Sequence, residues 1–281
     1  MEQTLKSFLS ASLKAEEIIR GLQIRNPSEI LILEIAMERG AFVNEKHLEG
    51  YEASLTRKGR LGIISVNKSI PEEGRKRFAI AHELGHFELH AASQIIFCAE
   101  DDMFVWNENK EQEIEANEFA ANLLMPRDIF MRYLKPEQPN MDSIIELADK
   151  FRTTLTATAL RYVQLSPEPC AVAISKDGVI KWYSKSPGFD FHIKVGENLG
   201  KSTVEAASNP AKVPASAWLA GDIDEHALIY EQSLTLRGYG VMISLLWLCD
   251  QALSLSSRLK EDETEFDLTN PFTPDGKRWR W

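Results

Sequence analysis

The chain has 281 residues, 44% hydrophobic and 26% charged, which is ordinary globular composition and excludes wholesale disorder. Its 32 basic and 42 acidic side chains leave a net charge of −10, which argues against a nucleic-acid-binding surface as its main business. The length allows one large domain or two ordinary ones. Three widely spaced cysteines (Cys98, Cys170 and Cys249) form no C-x-x-C and read as free thiols of a reducing compartment, each a small buried hydrophobe. The N-terminus lacks the basic start and apolar stretch of a signal peptide. No run approaches the roughly 20 apolar residues of a membrane span. A cytoplasmic protein is the expectation.

In chain order, residues 5–23 carry Leu5, Phe8, Leu9, Leu13, Ile18, Ile19 and Leu22 at helical spacing, which predicts an amphipathic helix. Asn26-Pro27-Ser28-Glu29 predicts the start of a second helix ending near Gly40. Tyr51–Thr56 and Leu61–Val66 are β-prone runs joined by Lys58-Gly59, a hairpin pattern. Ser69-Ile70-Pro71-Glu72 is a helix-start signal, with Ser69 as N-cap, and predicts one helix over Arg75–Ala92. Gly85 in its middle costs about 1 kcal/mol against Ala, so a neighbouring group is expected to approach closely there. Residues 99–113 are acidic and read as a loop into a helix over Glu111–Leu124, which Met125-Pro126 ends. Arg127–Leu134 continues as a third helix, and residues 141–164 hold two short helices around Thr153-Thr154. After Pro167-Glu168-Pro169, Ala171–Ser175 and Val179–Tyr183 flank Lys176-Asp177-Gly178 as a hairpin. Phe189–Val195, Ala227–Thr235 and Val241–Leu248 are further strand candidates.

His82-Glu83-Leu84-Gly85-His86 falls inside the predicted helix over Arg75–Ala92. Residues four apart share a helix face, so both imidazoles can reach one metal ion while Glu83 leans alongside. This H-E-x-x-H arrangement is that of zinc hydrolases. Such an ion takes three protein ligands and keeps one open position. The third ligand is sought among Glu111, Glu113, Glu115 and Glu118. Ala116, Ala120, Leu123 and Leu124 define the buried face of their helix at about 100° per residue. Glu113 falls on that face, Glu115 lies toward its flank as the second choice, and Glu118 points away. A carboxylate on a buried face needs a partner, and a cation is one. Glu83 is then the catalytic base, taking a proton from the attacking water and passing it to the leaving amine. Two histidines and a carboxylate suit Zn²⁺ and accept Mn²⁺ or Fe²⁺. His90, four residues beyond His86, reads as a helix-end histidine facing the C-terminal dipole, with a role near the metal or the substrate cleft as the alternative.

Arg77-Phe78-Ala79-Ile80-Ala81-His82-Glu83-Leu84-Gly85-His86, followed by the run from Glu113 to Pro126 (EIEANEFAANLLMP), resembles the ImmA/IrrE family of metallo-endopeptidases over roughly residues 10–165. The resemblance implies a zinc peptidase that cuts a helix-turn-helix repressor of the XRE type, switching on a stress response or a mobile element. By position it carries over His82, His86 and Glu113 as ligands and Glu83 as base. The expected fold class is α+β. A mainly helical, zincin-like catalytic domain with a small sheet over residues 1–166 precedes an α+β regulatory or sensor-like domain, rich in antiparallel strands, over 170–265. Residues 266–281 read as a polar tail. Some relatives carry an N-terminal DNA-binding motif, and none is evident before residue 40. Residues 141–164 look like a helix-turn-helix, but the second helix offers little basic charge beyond Arg161, so scaffold is the favoured reading and direct DNA contact is not expected. The competing functions are a repressor-binding regulator that does not cleave and a DNA-binding regulator using residues 141–164.

Overall fold

The computed structural model describes residues 2–90, 95–99, 110–135, 138–198, 209–236 and 241–248. The chain divides into two units: one runs to Tyr133 and returns for Leu147–Ala157, the other takes Leu134–Glu146 and the described residues from Thr158. The architecture is α+β. No helix among the described residues is long and apolar enough to cross a membrane.

The first unit runs α1 (Glu2–Gly21), a 3₁₀ turn (Pro27–Glu29), α2 (Ile32–Glu38), β1 (Ala41–Lys46), β2 (Tyr51–Lys58), β3 (Leu61–Asn67), α3 (Glu73–Leu89), β4 (Ile95–Ala99), α4 (Lys110–Leu124) and α5 (Arg127–Met131). Two further helices, α6 (Met141–Phe151) and α7 (Leu155–Leu165), share their residues between the units. Strands β1 to β4 form one sheet in the order β1-β3-β2-β4. The predicted hairpin is β2 and β3, turning at Gly59 with a φ of +62°. β1 runs parallel to β3, and β4 pairs antiparallel with β2. Cross-strand neighbours Ala53 and Val66, and Leu55 and Ile64, are buried on the sheet, and α3 packs against β2 and β3.

Several sequence-based boundaries move, each for a local reason. α1 buries Ala11, Ala15, Ile18 and Ile19 but exposes Leu9 and Leu13, so the apolar face differs from the expected one. α1 packs along α4, where Ala11 and Ala15 let two backbones come together. Ser12 Oγ donates to Glu118 Oε1 across that contact, at 2.9 Å. The expected second helix over 26–40 breaks into the 3₁₀ turn, closed by Glu29 accepting from the Asn26 N–H, and the separate α2. Between them Ile30 is buried, and its carbonyl accepts from Arg77 at 3.0 Å rather than closing a helical turn. α3 starts at Glu73, not in the turn at Ser69: the Ser69 N–H is taken by Asn67 Oδ1 at 3.0 Å, and Glu72 is the extended N-cap. It ends at Leu89, short of the expected Ala92, and α5 ends at Met131, short of Leu134.

The turn between α6 and α7 is fastened to α3. Arg77 Nε donates to the Arg152 carbonyl at 3.1 Å. Gly74 faces the same turn so closely that an added Cβ would lie 2.6 Å from the Thr153 carbonyl carbon and 2.7 Å from the Thr154 nitrogen. We expect Gly74→Ala to destabilise the protein by about 1–3 kcal/mol or more, because backbone must move. This holds although Ala gains about 1 kcal/mol of helix propensity. Urea unfolding checks it: the midpoint falls, whereas an unchanged or higher midpoint contradicts the close packing.

The second unit is built on β5 (Cys170–Lys176), β6 (Val179–Lys185), β7 (Ala211–Pro214), β8 (Leu228–Leu236) and β9 (Val241–Leu248), an antiparallel sheet in the order β6-β5-β9-β8-β7. The β5–β6 turn places Asp177 and Gly178 at φ +51° and +78°, as a two-residue hairpin requires. Trp218, Phe189, Phe191, Ile193 and Ile229 are among its buried core. Phe189–Val195 is not the strand expected: apart from a single bridge, Ile193 to Leu219, it makes no ladder, and its alternating side chains serve as core plugs. Trp218 Nε1 donates to the buried Glu231 carboxylate at 2.8 Å, and Ser233 Oγ donates to the same group at 2.7 Å. Cys170 is buried, and desolvation pushes its thiol up to about 11, in keeping with an inert packing role. The side chains of Cys98 and Cys249, most of the acidic stretch 99–113 and the tail 266–281 lie outside what is described.

Candidate metal centre

α3 and α4 meet at a glycine. A Cβ added to Gly85 would lie 3.1 Å from the Cα and carbonyl oxygen of Ala116 and from Phe119 Cδ1. The missing side chain is what lets the α4 backbone come down onto α3. Glu113, three residues before Ala116, is thereby brought over the histidines one turn apart on α3. His82 Nε2 lies 3.2 Å from Glu113 Oε2, His86 Nε2 lies 3.2 Å from Glu113 Oε1, and the two Nε2 atoms are 3.0 Å apart. Both rings are buried and Glu113 nearly so.

One donor atom from each of the three residues, all within 4.8 Å of one another, makes a group that could hold a metal ion. Ligands at about 2.0–2.1 Å from a tetrahedral zinc ion lie about 3.3 Å from one another, close to the separations found here. The far side of His82 fixes the chemistry of its near side. Its Nδ1 lies 2.9 Å from Asn117 Oδ1, an oxygen that can only accept, so Nδ1 carries a proton and, in the neutral ring, Nε2 presents a lone pair. A lone pair and a carboxylate facing each other in a buried pocket call for a cation.

The electrostatics agree. Burial opposes charge on His82, but the hydrogen bond and charge of Glu113, with Glu83 and Asn117, outweigh it and raise its pKa: positive charge is drawn to this point. His86 is pushed down to about 4, by burial and by the neighbouring His82 and His90 against the pull of Glu113, so it is a neutral imidazole. Burial works against the Glu113 carboxylate as well, yet bonds to His82 and His86 more than offset it and hold the group below the usual carboxylate range. The donor set is two imidazoles and one ionised carboxylate, all within the first unit.

Glu83 is fully buried between the two histidines in sequence, and its charge acts on His82. Glu115, the second choice for third ligand, lies away from the trio: its Oε2 is 2.6 Å from His90 Nε2. Glu118 turns to Ser12 and Asn122, and Glu111 is exposed. His90 is the buried C-cap of α3, and its Nδ1 lies 3.0 Å from His86 Nδ1. Sequence reasoning did not single out Asn117. Its place four residues after Glu113, hence on the same helical face, was the available signal.

Residues 36–162, which include α3 and α4, match the IrrE N-terminal-like domain of the Peptidase_M78 family. Immunity region protein 2 of Bacillus phage phi105 is 32% identical over 74 residues, covering 26% of this chain and 44% of that protein's length. A solved Mycobacterium tuberculosis transcriptional regulator aligns over 88% of this chain and 77% of its own, at 14% identity and a TM-score of 0.54, a likeness of fold. Over residues 36–162 the chain thus has an IrrE N-terminal-like domain.

Proposed function

We propose that the protein is a zinc-dependent endopeptidase of the cytoplasm whose substrate is a helix-turn-helix transcriptional repressor of the XRE type. In it His82, His86 and Glu113 hold the metal and Glu83 is the catalytic base. The observation that carries this is the convergence of His82 Nε2, His86 Nε2 and the Glu113 carboxylate, at contacts of 3.0–3.2 Å, beside a helix that also bears Glu83. When bound, the ion supplies Lewis acidity, acidifying water and polarising a peptide carbonyl. Glu83, whose carboxylate accepts but does not ligate, takes the proton of the attacking water and returns it to the departing amine. Asn117 keeps the His82 ring oriented, and Glu83 is fully buried next to that ligand in sequence. Residues 1–166 form the peptidase domain on this reading, and residues 170–265 a regulatory or sensor domain. The phage immunity-region relative and the fold shared with a transcriptional regulator support a regulatory setting.

The test is a search for new protein N-termini in cells producing wild-type protein or Glu83→Gln. Cleavage within a helix-turn-helix repressor, seen with wild type and missing with the variant, is the expected outcome. Repressor bound by both proteins and cut by neither sinks the peptidase reading in favour of a sequestering regulator. DNA retained by the protein alone in a salt-sensitive manner sinks it in favour of a DNA-binding one.

A further inference from the structure

We infer that His90 and Glu115 form a positioning relay that fixes His86 as a ligand through Nε2, an inference that rests on the metal-centre reading above. The relay follows from which atoms can give a proton. A carboxylate oxygen is an acceptor, so the 2.6 Å contact to Glu115 Oε2 suits His90 Nε2 as the donor. A His86 ring that ligates through Nε2 keeps its proton on Nδ1, which calls for an acceptor there. His90 Nδ1, at 3.0 Å, is that acceptor once the His90 proton is held on Nε2 by Glu115. The lone pair of His86 is then on Nε2, the atom that faces His82 Nε2 and Glu113. Reversing the chain would turn an N–H of His86 into the space the ion takes.

Three features show that this arrangement is built rather than incidental. His86 and His90 are four residues apart on α3, and His90 is the helix C-cap, its N–H closing on the His86 carbonyl at 3.0 Å, so backbone and ring are tied to the same residue. The His90 ring is buried and wedged between the two helices, with its centroid 5.1 Å from that of His86. Glu115 projects from α4, two residues from Glu113, so one helix supplies both the carboxylate of the trio and the anchor for the opposite end of the relay. The two histidine ligands are thus held differently: His82 by the neutral amide oxygen of Asn117, His86 by a carboxylate acting through a second imidazole. A carboxylate relayed in this way raises the basicity of its histidine and fixes its tautomer, and loss of such a partner typically costs about 10–100-fold in metal affinity.

The experiment uses the full chain as wild type, His90→Leu, Glu115→Gln and His86→Ala. It measures zinc affinity by competition with a chromophoric chelator, the visible spectrum of the cobalt-substituted protein, and melting without metal. The inference predicts that His90→Leu weakens zinc about 10–100-fold and shifts the cobalt bands while the metal-free melting temperature stays at the wild-type value. Glu115→Gln, which keeps an accepting oxygen but loses the charge, falls between. Wild-type zinc affinity and an unchanged cobalt spectrum in His90→Leu overturn the relay, and loss of zinc in His86→Ala alongside leaves the metal centre standing. Equal zinc binding by wild type and His86→Ala overturns the metal centre and the relay together. Should His90→Leu melt lower without metal, Glu115→Gln decides: weakened zinc supports the relay, and wild-type affinity overturns it.

Discussion

Glu83→Gln is expected to abolish cleavage, by at least the roughly 10²–10⁴-fold that a positioned general base contributes, while one zinc ion per chain is still bound. The substitution keeps the size and hydrogen-bonding reach of the side chain but removes its capacity to take up a proton. Glu83 lies outside the group of donor atoms formed by His82, His86 and Glu113, so its charge is dispensable for ligation. Glu83 is fully buried, so melting of the metal-free variant is the check that the fold is intact. Rate, metal content by elemental analysis, and melting are read on the same preparation. Retained cleavage contradicts the assigned role, and lost zinc shows instead that Glu83 is a ligand.

The second large effect is expected from Glu113→Ala, which removes the carboxylate that completes the trio. Two histidines remain on α3, but a two-ligand site loses more than the roughly hundredfold that an outer partner costs. The consequence reaches stability by mass action. Zinc at a hundred times its dissociation constant stabilises a folded protein by about 2.7 kcal/mol, a gain that chelation reverses. Wild type is therefore expected to melt higher with zinc than with chelator, and Glu113→Ala to melt alike in both. Glu118→Ala serves as the comparison, since Glu118 contacts Ser12 and Asn122 and not the trio: it keeps a zinc-dependent rise. A zinc-dependent rise in Glu113→Ala equal to that of wild type contradicts the ligand assignment.

Much of the centre was legible in the sequence, because helical periodicity alone puts His82 and His86 on one face and selects Glu113 over Glu118. Gly85 was legible as a point of close approach, and the structure finds the α4 backbone there. What helical phase does not encode is which flanking polar groups meet across the two helices. Glu115 and His90 each looked peripheral on its own helix, and their contact exists only once α3 and α4 have crossed. The same limit explains the misread face of α1, where Ala11 and Ala15 outrank Leu9 and Leu13 because a partner helix wants small residues. In the sheets, the hairpins of β2–β3 and β5–β6 announce themselves through Lys58-Gly59 and Asp177-Gly178. β1 pairs in parallel with a strand reached only after β2, and β4 and β7 are short strands without turn signals. Phe189–Val195 has the alternation of a strand but lies in irregular chain, where burial and not pairing sets the pattern.

Anomalous diffraction at the zinc edge, from crystals of the zinc-loaded full chain, tests the central claim most directly. The account predicts one strong peak lying about 2.0–2.2 Å from His82 Nε2, His86 Nε2 and a Glu113 carboxylate oxygen at once. A zinc peak at any other set of side chains, or none at this trio in a chain that binds zinc in solution, contradicts it.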